Sequence, residues 1–82
     1  MNKLLVEVKV PAIGSIYDVY IPDRAKVFEL TPLIVSAVER LSDGLFLSGN
    51  AVLCDGNTGE IYGSTMTVEA LQLKIGSRLI LI

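Results

Sequence analysis

The chain carries one thiol, Cys54, and no histidine. Thiol chemistry requires the thiolate, which a cationic neighbour or a helix N-terminus stabilises. Cys54 instead closes the apolar run Ala51-Val52-Leu53-Cys54 and reads as an inert packing residue. The usual proton shuttle near neutral pH is missing without histidine. Glu29, Glu39, Asp43 and Glu60 are scattered, so none has the paired carboxyl that would separate an acid from a base. The segment Asp55-Gly56-Asn57-Thr58-Gly59-Glu60 outlines the start of a calcium loop. Counted from Asp55, however, Gly59 falls at the fifth ligand place and Met66 at the twelfth, and neither brings a carboxylate oxygen. It reads as a turn. The sequence therefore predicts no catalytic residue, no metal ligand and no cofactor-binding residue: the chain reads as a non-enzyme.

What remains is surface chemistry. Half of the 82 residues, 51%, are hydrophobic, and a domain this small has too much surface for its volume to hide them all. Some must meet solvent or a partner, which points to an interaction module. Net charge is −2 with no basic run, so phosphate backbones have nothing concentrated to bind and no nucleic-acid partner is expected. Apolar stretches such as Leu4–Val6 and Leu79–Ile82 are too short to insert into a bilayer. Met1-Asn2-Lys3 leads straight into a strand pattern without a signal-peptide core, and a lone cysteine forms no internal disulfide. The expectation is a cytoplasmic chain, residues 1–82 forming one domain.

The elements that must position such a surface follow from periodicity. Lys3–Val10 alternates, with Leu4, Val6, Val8 and Val10 on one face and Lys3, Leu5, Glu7 and Lys9 on the other. Pro11 to Ser15 turns the chain, and a second alternating strand runs over Ile16–Ile21, closed by Pro22 and Asp23. Val27, Leu30, Ile34, Val38 and Leu41 then recur at steps of three and four, an amphipathic helix stopped by Ser42-Asp43-Gly44. Pro32 admits two helix starts: Thr31 as N-cap with Pro32 at the first position, or an earlier start near Val27 with a kink. Short strands over Ala51–Cys54 and Glu60–Tyr62 flank the Asp55 turn. Thr67–Ala70 reads as a capped single helical turn, and Arg78–Ile82 as the last strand.

The order β-β-α-β-β-β makes an α+β chain, and it resembles a β-grasp, a mixed sheet of four to five strands wrapping one helix. At residue level, Tyr17-Asp18-Val19-Tyr20-Ile21-Pro22, Val27-Phe28-Glu29-Leu30-Thr31-Pro32-Leu33 and Thr67-Val68-Glu69 with Ile75-Gly76-Ser77-Arg78-Leu79 are similar to the YukD-like ubiquitin-related family. That family contains small proteins of type VII (ESX/WXG100) secretion loci and a similar domain on a membrane subunit of ESX systems. Leu45–Asn50 and Cys54–Gly59 match it loosely. The resemblance implies a non-covalent accessory or regulatory protein of a type VII secretion system. Its partners would be membrane-embedded subunits of the machine, reached from the cytoplasmic side, with self-association into a homodimer as a further option. An ending on Leu79-Ile80-Leu81-Ile82, without a Gly-Gly tail, argues against the alternative of a sulfur carrier or conjugated modifier of the same fold. A third reading, a Ras-binding-like scaffold, would pair through the second strand.

Two surfaces are expected to bind protein. On the open sheet face, Leu5, Ile80 and Ile82 would form an apolar centre rimmed by Lys3, Lys9 and Arg78, since the last strand of such a sheet lies beside the first. On the helix, Phe28, Pro32 and Val35 share a direction away from the core stripe and would form a second ridge.

Overall fold

The computed structural model describes residues 2–46 and 50–82. Alternation over Lys3–Val10 becomes strand β1, and its partner β2 spans Ser15–Pro22, one residue longer at each end than the alternation predicts. The two pair antiparallel in unbroken register from Lys3 opposite Pro22 to Val10 opposite Ser15. A 3-10 turn at Pro11–Ile13 joins them, ended by Gly14 at φ 62, a left-handed position where a side chain is disfavoured. Strand β3 (Leu53–Asp55) and strand β4 (Arg78–Leu81) complete a sheet of order β2-β1-β4-β3. The β1–β4 pair at its centre is parallel and the other two are antiparallel.

Helix α1 (Val27–Leu41) crosses one face of this sheet. Its Leu30, Ile34 and Val38 join Val6, Val8, Val10, Val19, Ile21, Leu53, Leu79 and Leu81 in one buried cluster. Burying each such side chain contributes roughly 1.5–3 kcal/mol, so this two-layer core supplies most of the folding drive. Leu41 does not join it and is exposed. The helix ends there, and Ser42 occupies the buried place, its Oγ accepting the Phe46 N–H at 3.2 Å.

The helix starts at Val27, not at Pro32, and tertiary contacts explain why. The N–H groups of Val27 and Phe28 donate to the carbonyls of Met66 and Ser64 at 2.9 and 3.0 Å, and Glu29 Oε1 accepts the Lys26 N–H at 3.0 Å. Orphan donors of the first turn are thus satisfied by a distant loop, while the Glu29 side chain caps the N-terminus locally. Pro32 sits inside the helix, where its missing N–H leaves the Phe28 carbonyl without its usual donor.

Glu60–Tyr62 forms only an isolated bridge, Ile61 opposite Cys54, so the expected order shortens to β-β-α-β-β. After Tyr62 the chain leaves the sheet to reach the helix N-terminus, which leaves no length for a strand. The turn before it is held by Asp55 Oδ1, which accepts the N–H groups of Asn57 and Thr58 at 2.7 and 3.1 Å. The Thr67 turn forms as expected, with Thr67 Oγ1 accepting the Ala70 N–H at 2.9 Å. Part of Leu45–Asn50 lies outside the described residues.

Candidate protein-binding surface

The sheet face opposite the helix is built row by row from the strand registers. Side chains of residues directly paired across strands project to the same side. One row therefore runs Ile16, Lys9, Ile80, Cys54, Ile61 across all the strands and the bridge. The row beside it runs Asp18, Glu7, Arg78. Beyond that lie Tyr20 and Leu5, next to Gly76, whose N–H donates to the Leu5 carbonyl at 2.8 Å. At the opposite end Ile82 exchanges backbone hydrogen bonds with Val52 at 2.7 and 3.0 Å.

This register corrects the expected patch. Leu5 is not beside Ile80 and Ile82, because the parallel β1–β4 pairing sets Arg78 against Glu7 and Ile80 against Lys9. The acidic and basic row separates Leu5 from both isoleucines. Arg78 Nε meets Glu7 Oε2 at 3.2 Å with side chains 70% and 37% exposed, an ion pair worth less than about 1 kcal/mol in water. On one side of it a shallow groove of about 330 Å³ is lined by Lys9, Ile16, Gly56 and Ile80. On the other, a groove of about 300 Å³ runs between Leu5 and Ile75 beside Asp18. The face is two apolar patches divided by a charged stripe.

Lys3 and Lys9 are exposed, as a rim requires, but Lys9 stands within the larger patch rather than at its border. Three members of the face were not singled out from the sequence: Ile16, Ile61 and Tyr20, all exposed. The alternation of β2 already placed Ile16 and Tyr20 away from the core. Ile61 had no such signal, since a single bridge has no period.

Cys54 is 2% exposed but lies outside the main core cluster. Its register places it on the open face, walled between Ile80 and Ile61. Nearby, the Tyr62 phenol is pushed up to about 12, first by burial and then by the Asp55 carboxylate and Cys54.

The helix ridge is only partly assembled. Phe28 is 55% exposed, with Lys26 Nζ 5.8 Å from its ring centre, and Pro32 is exposed. Val35 shares the direction of Phe28 on the helix but is half-buried against the core, so it does not extend the exposed ridge. Leu33, 52% exposed, lies on a different side of the helix from Phe28. Among the described residues no three His, Cys, Asp or Glu side chains are grouped to hold a metal ion. No described helix is long and apolar enough to cross a membrane.

No family model and no curated protein matches the sequence. Solved structures do match. The ubiquitin-like domain of the Mycobacterium tuberculosis type VII secretion system protein EccD1 superposes with a TM-score of 0.77 at 13% identity, covering 100% of this chain and 99% of that one. The EccD5 ubiquitin-like domain from Mycobacterium xenopi gives 0.72 at 15% identity, over 100% and 94% of the two chains. A chain of the MycP5-free ESX-5 inner membrane complex gives 0.71 at 20% identity, covering 100% of this chain and 21% of that larger one. The helix against one face of a mixed sheet and these whole-length superpositions agree: the chain has the ubiquitin-like β-grasp fold.

Proposed function

We propose that this chain is a non-covalent, ubiquitin-like binding module serving a type VII secretion system, working in the cytoplasm against membrane-embedded subunits of the machine. The observation that carries the binding role is the open sheet face. Ile16, Ile80, Ile61 and Ile82 lie on it, half-buried or exposed, with Lys9 between Ile16 and Ile80 and the Glu7–Arg78 pair along one side. Apolar side chains at the centre and charge at the border are what a protein partner's interface needs. The secretion context is supported by the resemblance of Tyr17–Pro22 and Val27–Leu33 and by the whole-length likeness to type VII ubiquitin-like domains. Nothing in this role calls for catalysis, and the face offers contact rather than chemistry.

Burying two or three of these side chains contributes roughly 1.5–3 kcal/mol each before association costs, so a single face predicts weak binding strengthened by several copies on one machine. The test uses a purified type VII inner-membrane complex from the same cells. Wild type, Ile80→Asp and Leu5→Asp are titrated against it by biolayer interferometry after each variant is shown to be folded. Loss of binding with Ile80→Asp identifies the larger patch as the working surface, and loss with Leu5→Asp alone identifies the smaller. Wild type that fails to bind the complex at micromolar concentration removes the secretion role and leaves the fold.

A further inference from the structure

The sheet has two edges, and among the described residues only one of them is closed. At β3 the chain covers its own edge: Tyr62 N–H donates to the Leu53 carbonyl at 3.0 Å, Asp55 N–H to that of Glu60 at 2.8 Å, and Ile61 bridges Cys54. Among the described residues, strand β2 has a neighbour on one side only. Which of its groups are free follows from one bond, the Asp23 N–H donating to the Asn2 carbonyl at 3.1 Å. Backbone groups alternate direction along an antiparallel strand, so Ile21, Val19 and Tyr17 also point to β1. The N–H and C=O groups of Ile16, Asp18 and Tyr20 therefore point outward, with the Pro22 carbonyl. An eight-residue edge of this kind is normally blunted by lysine, an internal proline or a bulge. Here the register with β1 is unbroken, Pro22 sits at the very end, and Asp18 is the one charge.

A second, separate feature lies beside the same edge. Helix α1 packs on β2, and between them opens a groove of about 210 Å³ lined by Pro22, Arg24, Ala25, Glu29 and Leu33. Leu33 leaves half its surface in water there. A strand added to β2 would alternate its side chains between the Asp18 face and this groove.

We infer that the β2 edge accepts an extended segment of a different protein, with a basic residue beside Asp18 and an apolar residue three positions away in the groove. The spacing follows from geometry. Asp18 is on the open face, and Ile21, buried on the helix side, directly precedes the groove-lining Pro22, three residues from Asp18 and on the opposite face. Charge selects the occupant: Asp18 stands next to Glu7 on β1, has no ion-pair partner among the described residues, and is flanked by Ile16 and Tyr20. A second copy of this chain fits less well. Antiparallel self-pairing centred on Asp18 sets two carboxylates opposite each other. The register displaced by one pair one way sets Pro22, which has no N–H to give, against Ile16; displaced the other way it sets Tyr20 against Gly14, whose N–H already donates to the Pro11 carbonyl. Asp18 thus discourages self-pairing and favours a cationic visitor.

The test uses a blocked peptide, Leu-Thr-Val-Lys-Val-Thr-Leu, and its control with Glu replacing Lys. The two leucines serve either strand direction. With isotopically labelled protein, the lysine peptide shifts the amide resonances of Ile16, Asp18 and Tyr20 and binds about fivefold tighter than the control, the contrast expected of one cross-strand charge pair. Asp18→Lys reverses the order, and Leu33→Asp weakens both peptides. Both positions are exposed, and an otherwise unchanged amide spectrum verifies the fold. The inference is overturned by equal binding of the two peptides to wild type, by shifts confined to Ile80 and Ile61, or by no shift at millimolar peptide. A β2-mediated dimer in sedimentation equilibrium that the peptide does not displace overturns the choice of occupant. None of these outcomes depends on the secretion role.

Discussion

Gly56→Ala tests whether the close approach of the Asp55 turn to β4 holds the open face together. Gly56 donates its N–H to the Arg78 carbonyl at 2.8 Å. A Cβ there would lie 2.5 Å from that oxygen, 2.6 Å from the Arg78 carbonyl carbon and 2.6 Å from its Cβ. Comfortable carbon contacts begin near about 3.5 Å, so backbone must move by about 1 Å, and both partners are main chain with little freedom. Overpacking of this kind costs about 1–3 kcal/mol, and losing the hydrogen bond adds about 1 kcal/mol. The expected loss is about 2–4 kcal/mol, from a total of roughly 4–12 kcal/mol for a chain of this length. Urea unfolding followed by circular dichroism measures it, and Tm should fall by about 10 °C or more. Gly59→Ala is the matched control. Gly59 has φ 78 but nothing within 4 Å of a Cβ, so it loses only the left-handed backbone preference, about 1–2 kcal/mol. A loss below about 0.5 kcal/mol for Gly56→Ala would refute the reasoning, since it would mean that β4 yields freely at the point where Ile80 is positioned.

Pro32→Ala should raise stability by about 1–3 kcal/mol in the same denaturation assay, because it restores an N–H for the Phe28 carbonyl and removes ring crowding; an unchanged midpoint contradicts this. Cys54, walled in by Ile80 and Ile61, should react with an aromatic disulfide reagent only as fast as its hairpin opens, so native protein reacts far more slowly than protein in urea. Equal rates would place the thiol at the surface. Tyr62 has its folded pKa raised from 10.0 to about 12, so the neutral phenol is favoured by the fold. Its contribution is complete below pH 10 and is lost as pH rises through about 12. Tyr62→Phe should therefore flatten the alkaline fall in stability over that window, and an identical fall in the variant rejects the assignment. The double variant Glu7→Leu/Arg78→Leu should stay folded, because an exposed ion pair contributes less than about 1 kcal/mol, yet self-associate at concentrations where wild type is monomeric. Sedimentation velocity separates the two, and a monodisperse variant counts against the dividing role of the pair.

Local pattern revealed the strands and helix well because each is set by its own periodicity. Lys3–Val10 and the run to Pro22 alternate cleanly, and of the helix stripe Val27, Leu30, Ile34 and Val38 are buried while Leu41 at its end is exposed. What the pattern does not carry is pairing between distant segments. Nothing local to Leu5 or Ile80 encodes that Glu7, not Leu5, lies against the start of β4. The helix start was ambiguous for the same reason: the carbonyls of Ser64 and Met66 that hold Val27 and Phe28 are more than thirty residues away. How far each helix side chain is covered depends likewise on distant packing, which leaves Val35 half-buried and Leu33 exposed. The Glu60–Tyr62 strand was legible from the turn before it but shrinks to the single Ile61 bridge, and one residue has no alternation to tell which face it serves.

The charged stripe across the open face constrains how any partner can use it. A partner covering both patches must bury Glu7 and Arg78, whose side chains are now 37% and 70% exposed, and withdrawing two charges from water costs several kcal/mol unless new hydrogen bonds replace the lost hydration. An apolar partner surface cannot supply them. Such a partner will therefore settle on one patch, with the ion pair at its wet rim, where the penalty vanishes. A partner bearing its own donor and acceptor for Arg78 and Glu7 can span the whole face, and it is then held in one orientation because the two charges are ordered along the row from Asp18. The same stripe that weakens indiscriminate apolar sticking thus makes orientation selectable. In a chain with this much hydrophobic surface, that selectivity matters more to a binding role than a larger uninterrupted patch would.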